Sequence, residues 1–325
     1  MKSLITGGAG FIGFHLAKHL ASQGYDVTIL DNFARGVDDE ELKEFLKNKN
    51  VRLINTDLTT PDFVTQLDKD GYDQIYHLAA INGTENFYKI PHKVLKVGIM
   101  STIHLLDWFV QSGRGRFLFT SSSEVYAGAL KLLGDRFPVP TPEDVPLVVD
   151  DPTNTRWSYG ASKILSEVAI HSYARGLGMS NWTIVRYHNI YGPRMGFEHV
   201  IPQFIERAVK RENPFRIFGG QETRTFCYID DAVAATQLIM EHPQAAGQTI
   251  HIGRSDGEIK MLDLAGIVCG FVGHRPQMDV QLAPNGAVMR RCPDITKLKQ
   301  LGYAPKVSLE DGARRTYDWY EGKFN

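Results

Sequence analysis

From the N-terminus to Val185, short apolar runs alternate with longer stretches whose apolar positions recur at helical spacing. Ser3-Leu4-Ile5, Val27-Thr28-Ile29-Leu30, Val51-Arg52-Leu53-Ile54, Gln74-Ile75-Tyr76-His77-Leu78, Phe117-Leu118-Phe119 and Trp182-Thr183-Ile184-Val185 read as strands. The segments 11–23, 40–48, 60–68, 92–112 and 157–176 read as helices. This alternation predicts an α/β fold, a doubly wound parallel sheet of Rossmann type covered on both faces. After Arg186 the pattern breaks. Gly192-Pro193-Arg194-Met195-Gly196 is rich in turn residues, a helix is predicted from Pro202 to about Lys210, and Pro214 to Gly220 reads as a strand ending in a turn. The Arg224–Asp231 segment follows, and Asp230–Met240 is expected to return to the main sheet. A smaller C-terminal α/β lobe is therefore expected from 187–224 plus 253–325, beside a main domain of 1–186 plus about 225–252. The stretch from Ala127 to Thr155 reads as a long, proline-containing loop, of the kind that is usually functional or mobile.

Composition narrows the class. The 325 residues suffice for a large core, and 43% hydrophobic and 22% charged residues are ordinary for a globular chain. A net charge of −1 carries no basic footprint for nucleic acid. Cys227, Cys269 and Cys292 show neither paired nor metal-ligand spacing, so reduced thiols in the cytoplasm and no bound metal are expected. Leu4-Ile5 is far too short for a signal-peptide core, and no apolar run reaches the roughly 20 residues of a membrane span.

Thr6-Gly7-Gly8-Ala9-Gly10-Phe11-Ile12-Gly13 lies between a predicted strand and a predicted helix. Gly7, Gly10 and Gly13 permit a tight turn, and backbone N–H groups about Phe11 and Ile12 could then meet a pyrophosphate at the positive end of the helix. A glycine turn without a ligand is the plain alternative, and the strand–helix context argues against it. Asp31, followed by Asn32, ends the second strand, where a carboxylate accepts from a ribose diol and repels a 2′-phosphate; NAD is therefore preferred over NADP, with Arg35 nearby as the opposing signal. Asp57-Leu58 and Leu78-Ala79-Ala80 also fall at C-terminal strand ends, where such folds bind ligands.

Tyr159 and Lys163 are four residues apart on a predicted helix and share a face. Such a pair is common on solvated helices. A nearby ammonium and an oxidised nicotinamide would both favour the phenolate and make the tyrosine a usable base. The hydroxyl run Thr120-Ser121-Ser122-Ser123 ends another strand; it could satisfy local backbone groups or aim a hydroxyl at the oxygen being oxidised.

The motifs GGAGFIG (7–13), HLAA (77–80), SSSEVY (121–126), YGASK (159–163), RYHNIYGPR (186–194), RTFCYIDD (224–231) and RCPDI (291–295) together span almost the whole chain. In them the chain resembles the extended short-chain dehydrogenase/reductase family, in its nucleotide-sugar epimerase/dehydratase branch. The resemblance implies NAD as cofactor, a UDP- or GDP-linked sugar as substrate, and hydride removal, usually from C4. Tyr159 would be the base, Lys163 would hold the nicotinamide ribose, and Ser122 would share the hydroxyl hydrogen bond. Asn189 and Arg224 match positions that bind the nucleotide diphosphate, and Arg291, rather than its neighbour Arg290, is expected as an anion ligand. It also implies a homodimer packed through 92–112 and 157–176.

The fate of the keto sugar stays open between epimerisation, loss of water, loss of carbon dioxide and release. Ser123 stands where one kind of 4,6-dehydratase carries Asp. Ser123-Glu124 resembles uronic-acid decarboxylases and GDP-mannose-type dehydratases, and Arg156-Trp157 resembles decarboxylases of aminoarabinose synthesis. Glu124 is accordingly expected in catalysis, with a structural role in the turn as the alternative. The usual Val-Asn-Val-x-Gly-Thr pattern is here Val97-Gly98-Ile99-Met100-Ser101-Thr102, and Gly98 lacks the amide that braces the active-site strand. Asn82-Gly83-Thr84 is an unusual loop sequence expected to reach the substrate, as are Ser123 and His199; His199 could instead cap the next helix. His188 is expected to pack beside the cofactor, with a role as catalytic acid as the alternative. These departures motivate a reading of another class, an NAD-binding sensor without chemistry, which the intact Tyr159–Lys163 pair opposes.

Overall fold

The computed structural model describes residues 1–283 and 289–324, so 284–288 and 325 of the expected smaller lobe lie outside it. The predicted strands form β1 (Lys2–Thr6), β2 (Asp26–Asp31), β3 (Val51–Asn55), β4 (Gln74–His77), β5 (Arg116–Ser122) and β6 (Trp182–Tyr187). With them alternate α1 (Phe11–Ser22), α2 (Glu40–Phe45), α3 (Thr84–Lys89), α4 (Pro91–Ser112), α5 (Ala127–Leu133) and α6 (Trp157–Leu177). After β6 the chain forms β7 (Ile190–Tyr191), α7 (Val200–Val209), β8 (Phe215–Phe218), β9 (Thr223–Arg224) and β10 (Cys227–Tyr228). After α8 (Ile229–Glu241) the chain adds β11 (Gln248–Ile252) to the main sheet. It then closes with β12 (Ile259–Lys260), α9 (Met261–Phe271), β13 (Met278–Gln281), β14 (Arg290–Arg291), α10 (Thr296–Gln300) and α11 (Leu309–Tyr320).

The central sheet has seven strands in the order β11-β6-β5-β4-β1-β2-β3, all parallel. Strand alternation sends neighbouring apolar residues to opposite faces. Leu4 and Leu30 join Leu105 and Phe109 of α4 and Ile170 of α6, whereas Ile5 and Ile29 join Leu16 and Leu20 of α1 and Ile239 of α8. Each such fully buried aliphatic side chain stabilises the fold by about 1.5–3 kcal/mol. The α1/α8 cluster continues into the smaller lobe through Phe204, Phe215 and Leu264.

Several expectations change in detail. Segment 60–68 forms a 3-10 helix, Pro61–Gln66, in place of an α-helix. The stretch after Ala127 opens with α5 instead of a loop, because Ala129 buries against Val125, Tyr126 and Val145. Thr84 starts α3, not an extended loop, after Gly83 turns the chain at φ 105°. Strand β11 was not visible in the apolar pattern: its polar first half, Gln248-Thr249, hides the buried Ile250 and Ile252. Among the described residues no helix is long and apolar enough to cross a membrane.

Candidate active site

At the C-terminal ends of β1, β2, β4 and β5 lies a cleft of ≈ 560 Å³. Its floor is made by the turn from β1 into α1. Gly7 sits at φ 71°, and a Cβ there would fall 2.9 Å from the Ala79 backbone; one at Gly13 would fall 2.2 Å from the Gly7 carbonyl oxygen. Gly10 caps α1 without a side-chain bond, so the first N–H groups of the helix, about Phe11, Ile12 and Gly13, face the cleft that these residues line. Asp31 accepts from the Ala9 and Phe33 N–H groups at 2.9 and 2.8 Å, and burial pushes its carboxyl up against those two donors. Asn32, Asp57, Leu58, Leu78, Ala79 and Ala80 line the same half of the cleft. Arg35, the signal for a phosphate, is ion-paired with Glu198. This cradle fits NAD: glycines stand where any side chain would collide, next to an uncapped helix start and a carboxylate.

A buried hydrogen-bonded chain holds the end of β4. Thr6 Oγ1 accepts from the Leu78 and Ala79 N–H groups, both at 3.1 Å, and lies 2.7 Å from His77 Nδ1. With two donors already on that hydroxyl, the network assigns its proton to Nδ1 as acceptor and places the imidazole proton on Nε2, 3.1 Å from Thr102 Oγ1. Thr102 in turn donates to the Gly98 carbonyl at 2.8 Å. Burial takes the His77 pKa down to about 3. In this chain a neutral histidine and two threonines brace the strand end where the family pattern has an amide. Gly98 instead serves close packing of α4 on α6, since a Cβ there would lie 2.5 Å from Ser162 Oγ.

Tyr159 and Lys163 share the buried face of α6. Lys163 Nζ donates to the Thr120 carbonyl at 2.7 Å and stands 5.7 Å from the Tyr159 ring centroid. Burial pushes the Tyr159 phenol up, against a hydrogen bond from Ser122, and takes the Lys163 ammonium down to about 7. In so dry a place, a positive charge and a phenolate each favour the other. The Tyr159 ring also stacks on Phe87, with centroids 5.1 Å apart and planes at 13°.

Beside Ser122, Glu124 is held by two arginines. Its oxygens accept from Arg156 Nη2 at 2.8 Å and Arg291 Nη1 at 2.7 Å. Burial works to raise the Glu124 carboxyl, but the Arg291 and Arg156 guanidiniums hold it at about 2. Arg290 turns away to Glu258 at 2.7 Å, which resolves the adjacent pair.

Of the residues expected at the substrate, Asn82, Ser123, Asn189, His199 and Arg291 line the cleft together with Ser122, Glu124, Tyr159 and Lys163. His199 is the N-cap of α7 but makes no side-chain cap bond. Arg224 is placed outside that lining, where its guanidinium donates to the Thr223 carbonyl at 2.7 Å. His188 also lies outside it, edge-on to His251 at 4.5 Å. Sequence reasoning did not place Phe87, Arg156 or Glu198 at the site. Arg156 was visible only as a neighbour of Trp157, and a lone Phe in a polar hexapeptide carries no periodic signal. Among the described residues no group of three His, Cys, Asp or Glu could hold a metal ion.

The sequence profile of the NAD-dependent epimerase/dehydratase family matches residues 3–253. The chain belongs to that family. The UDP-N-acetyl-alpha-D-glucosaminuronate decarboxylase of Bacillus cytotoxicus is 34% identical, over 98% of this chain and 97% of its own length. UDP-glucuronic acid decarboxylase 6 of Arabidopsis thaliana is 35% identical, over 96% of this chain and 86% of its own. Among solved structures, a UDP-glucuronic acid 4-epimerase variant from Bacillus cereus, in complex with UDP-4-deoxy-4-fluoro-glucuronic acid and NAD, superposes with a TM-score of 0.86 at 28% identity, covering 99% of each chain. As a member of the epimerase/dehydratase family, the chain is an NAD-dependent enzyme that oxidises a nucleotide-linked sugar.

Proposed function

We propose that the enzyme takes a UDP-linked uronic acid, oxidises it at C4 and releases its carboxyl group as carbon dioxide. The observation that carries this reading is the Arg156–Glu124–Arg291 cluster at the cleft, two guanidiniums on one carboxylate. The surplus cation beside the reacting hydroxyl suits a sugar that bears its own carboxylate, and an arginine fork is the natural receptor. The decarboxylase relatives point the same way.

In this reading Tyr159 takes the proton of the C4 hydroxyl, Ser122 shares that hydrogen bond, and the Lys163 charge stabilises the phenolate. Gly7, Gly10, Gly13, Asp31 and Lys163 hold NAD, which when bound accepts the hydride leaving C4. A C4 ketone is β to the C6 carboxylate. The C5–C6 bond can then break, its electron pair passing into an enolate as carbon dioxide leaves, and a proton returns to C5. Ser122 and Tyr159, already placed at the C4 oxygen, would steady the enolate charge. Asn82, Ser123, Asn189 and His199 would line the path of the sugar nucleotide.

The enzyme is further proposed to act as a homodimer through α4 and α6, on which Leu95, Leu165 and Val168 are exposed apolar side chains. The buried free thiols of Cys227, Cys269 and Cys292 suit a cytoplasmic setting. The 4-epimerase likeness supports a second reading, in which the keto sugar turns over and is reduced on its other face. Incubation with UDP-glucuronic acid, UDP-N-acetylglucosaminuronic acid and UDP-glucose, read by NMR, separates them. A UDP-pentose or its 4-keto form supports decarboxylation; a 4-epimer of intact mass replaces it with epimerisation.

A further inference from the structure

The segment after Asn82, singled out by its composition, is not used by the oxidation chemistry. Gly83, at φ 105°, turns the chain there in a conformation that residues with a side chain rarely adopt. That turn starts α3 and sends Phe87 inward. Phe87 is 5% exposed, Tyr159 7%, and the two rings lie nearly parallel at 5.1 Å. Ile81, Val94, Ala80, Ile90 and Val97 complete an apolar nest around the pair. This nest is separate from the two large core clusters, and Phe87 also lines the cleft.

We propose that Phe87 is a positioning residue for Tyr159: its ring lies flat on the phenol, fixes its plane toward Ser122 and keeps water from that face. The inference rests on Tyr159 being the base. Stacking of this kind adds to the ordinary gain of apolar burial and restricts the ring to one orientation. Burial is the main cause of the raised Tyr159 ionisation, and the Phe87 ring packed on Tyr159 is one of the groups that cover it. The polar groups that face Tyr159 are Lys163 from its own helix, and Ser122 and Glu124 from the end of β5 and the turn after it; from α3 and α4 the cluster brings apolar Phe87, Val94 and Val97. Loss of the ring opens a dry phenol to water, which solvates the phenolate better than the phenol.

The test is a pH titration of ring-labelled tyrosine by carbon NMR in the full-length, NAD-saturated protein, with the Tyr159 signal assigned from Tyr159→Phe. In Phe87→Ala, Tyr159 is expected to ionise at lower pH, its ionisation constant rising at least about tenfold, a shift of about one pKa unit. Phe87→Leu, close in volume and still apolar, is expected to move it in the same direction by a smaller factor and guards against a collapsed site. The Tyr126 signal, from a different cluster, is expected to stay where it is. A Tyr159 titration unchanged in both variants overturns the proposal, as does a shift that Tyr126 shares. A Tyr159→Phe enzyme that still turns over the UDP-uronic acids would instead defeat the base role itself, whatever the titration shows.

Discussion

Glu124 and Arg291, 167 residues apart in the chain, meet at 2.7 Å beside Ser122. The contact joins the end of the central sheet to β14 of the smaller lobe, and Arg156 completes it from the start of α6. Glu124→Gln leaves two guanidiniums with a neutral amide between them, and stability at neutral pH is expected to fall by roughly 1–3 kcal/mol. The carboxyl lies below its ordinary 4.5, at about 2, so its contribution is complete above pH 4.5 and lost as pH falls toward 2. Chemical denaturation from neutral to acid pH checks this: the wild type should lose stability across that window more steeply than Glu124→Gln.

His77 gives the second pH dependence. Its neutral ring is locked between Thr6 and Thr102, with its pKa taken from 6.5 down to about 3 by burial. The unfolded chain therefore binds a proton that the folded chain refuses, so this stability is present above pH 6.5 and drains away as pH falls toward 3. The slope from this one group approaches about 1.4 kcal/mol per pH unit within the window. In His77→Gln the stability–pH curve should be shallower there by that amount; parallel curves would show that the buried ring does not resist protonation.

Asp31 touches two backbone N–H groups and lines the half of the cleft that fits the adenosine. Asp31→Ala is expected to weaken NAD binding at least about tenfold, the scale of one charge-assisted hydrogen bond, and to narrow the preference over NADP. Calorimetric titration with each dinucleotide measures both. Equal NAD affinity in variant and wild type would remove Asp31 from the ribose site.

At Gly98 the space is already taken. A methyl group there would meet Ser162 Oγ at 2.5 Å and its Cβ at 2.7 Å. Gly98→Ala is expected to cost about 1–3 kcal/mol by overpacking. Thermal unfolding should show part of that loss recovered when Ser162→Gly is added, which separates the steric contact from a general effect on α4.

Where the chemistry depends on local spacing, the sequence already held it. Gly7, Gly10 and Gly13 follow a strand at turn spacing, Asp31 ends the next one, and Tyr159 and Lys163 share a helix face, so each could be read within a few residues. The parallel sheet was legible for the same reason, as short continuous apolar runs alternating with stretches of helical period. What joins distant segments was not. Arg291 could be named over Arg290 as an anion ligand from its motif, but its pairing with Glu124, 167 residues away, could not be read from the sequence. Phe87 reaches Tyr159 because Gly83 adopts a left-handed turn, a backbone choice that the residue permits without announcing. Gly98 looked like a missing brace. The brace is instead a histidine–threonine chain assembled from β1, β4 and α4.

In the proposed reaction Tyr159 is the base for oxidation at C4, without which the carboxyl group cannot leave. The most direct test is release of carbon dioxide from UDP-glucuronic acid and from UDP-N-acetylglucosaminuronic acid, each labelled at the carboxyl carbon, by NAD-loaded wild type and Tyr159→Phe. Labelled carbon dioxide is expected from the wild type with at least one of the two, and a rate lower by at least about 100-fold in the variant. Equal rates from the two proteins, or no labelled gas from either sugar nucleotide with the wild type, would contradict the proposed reaction.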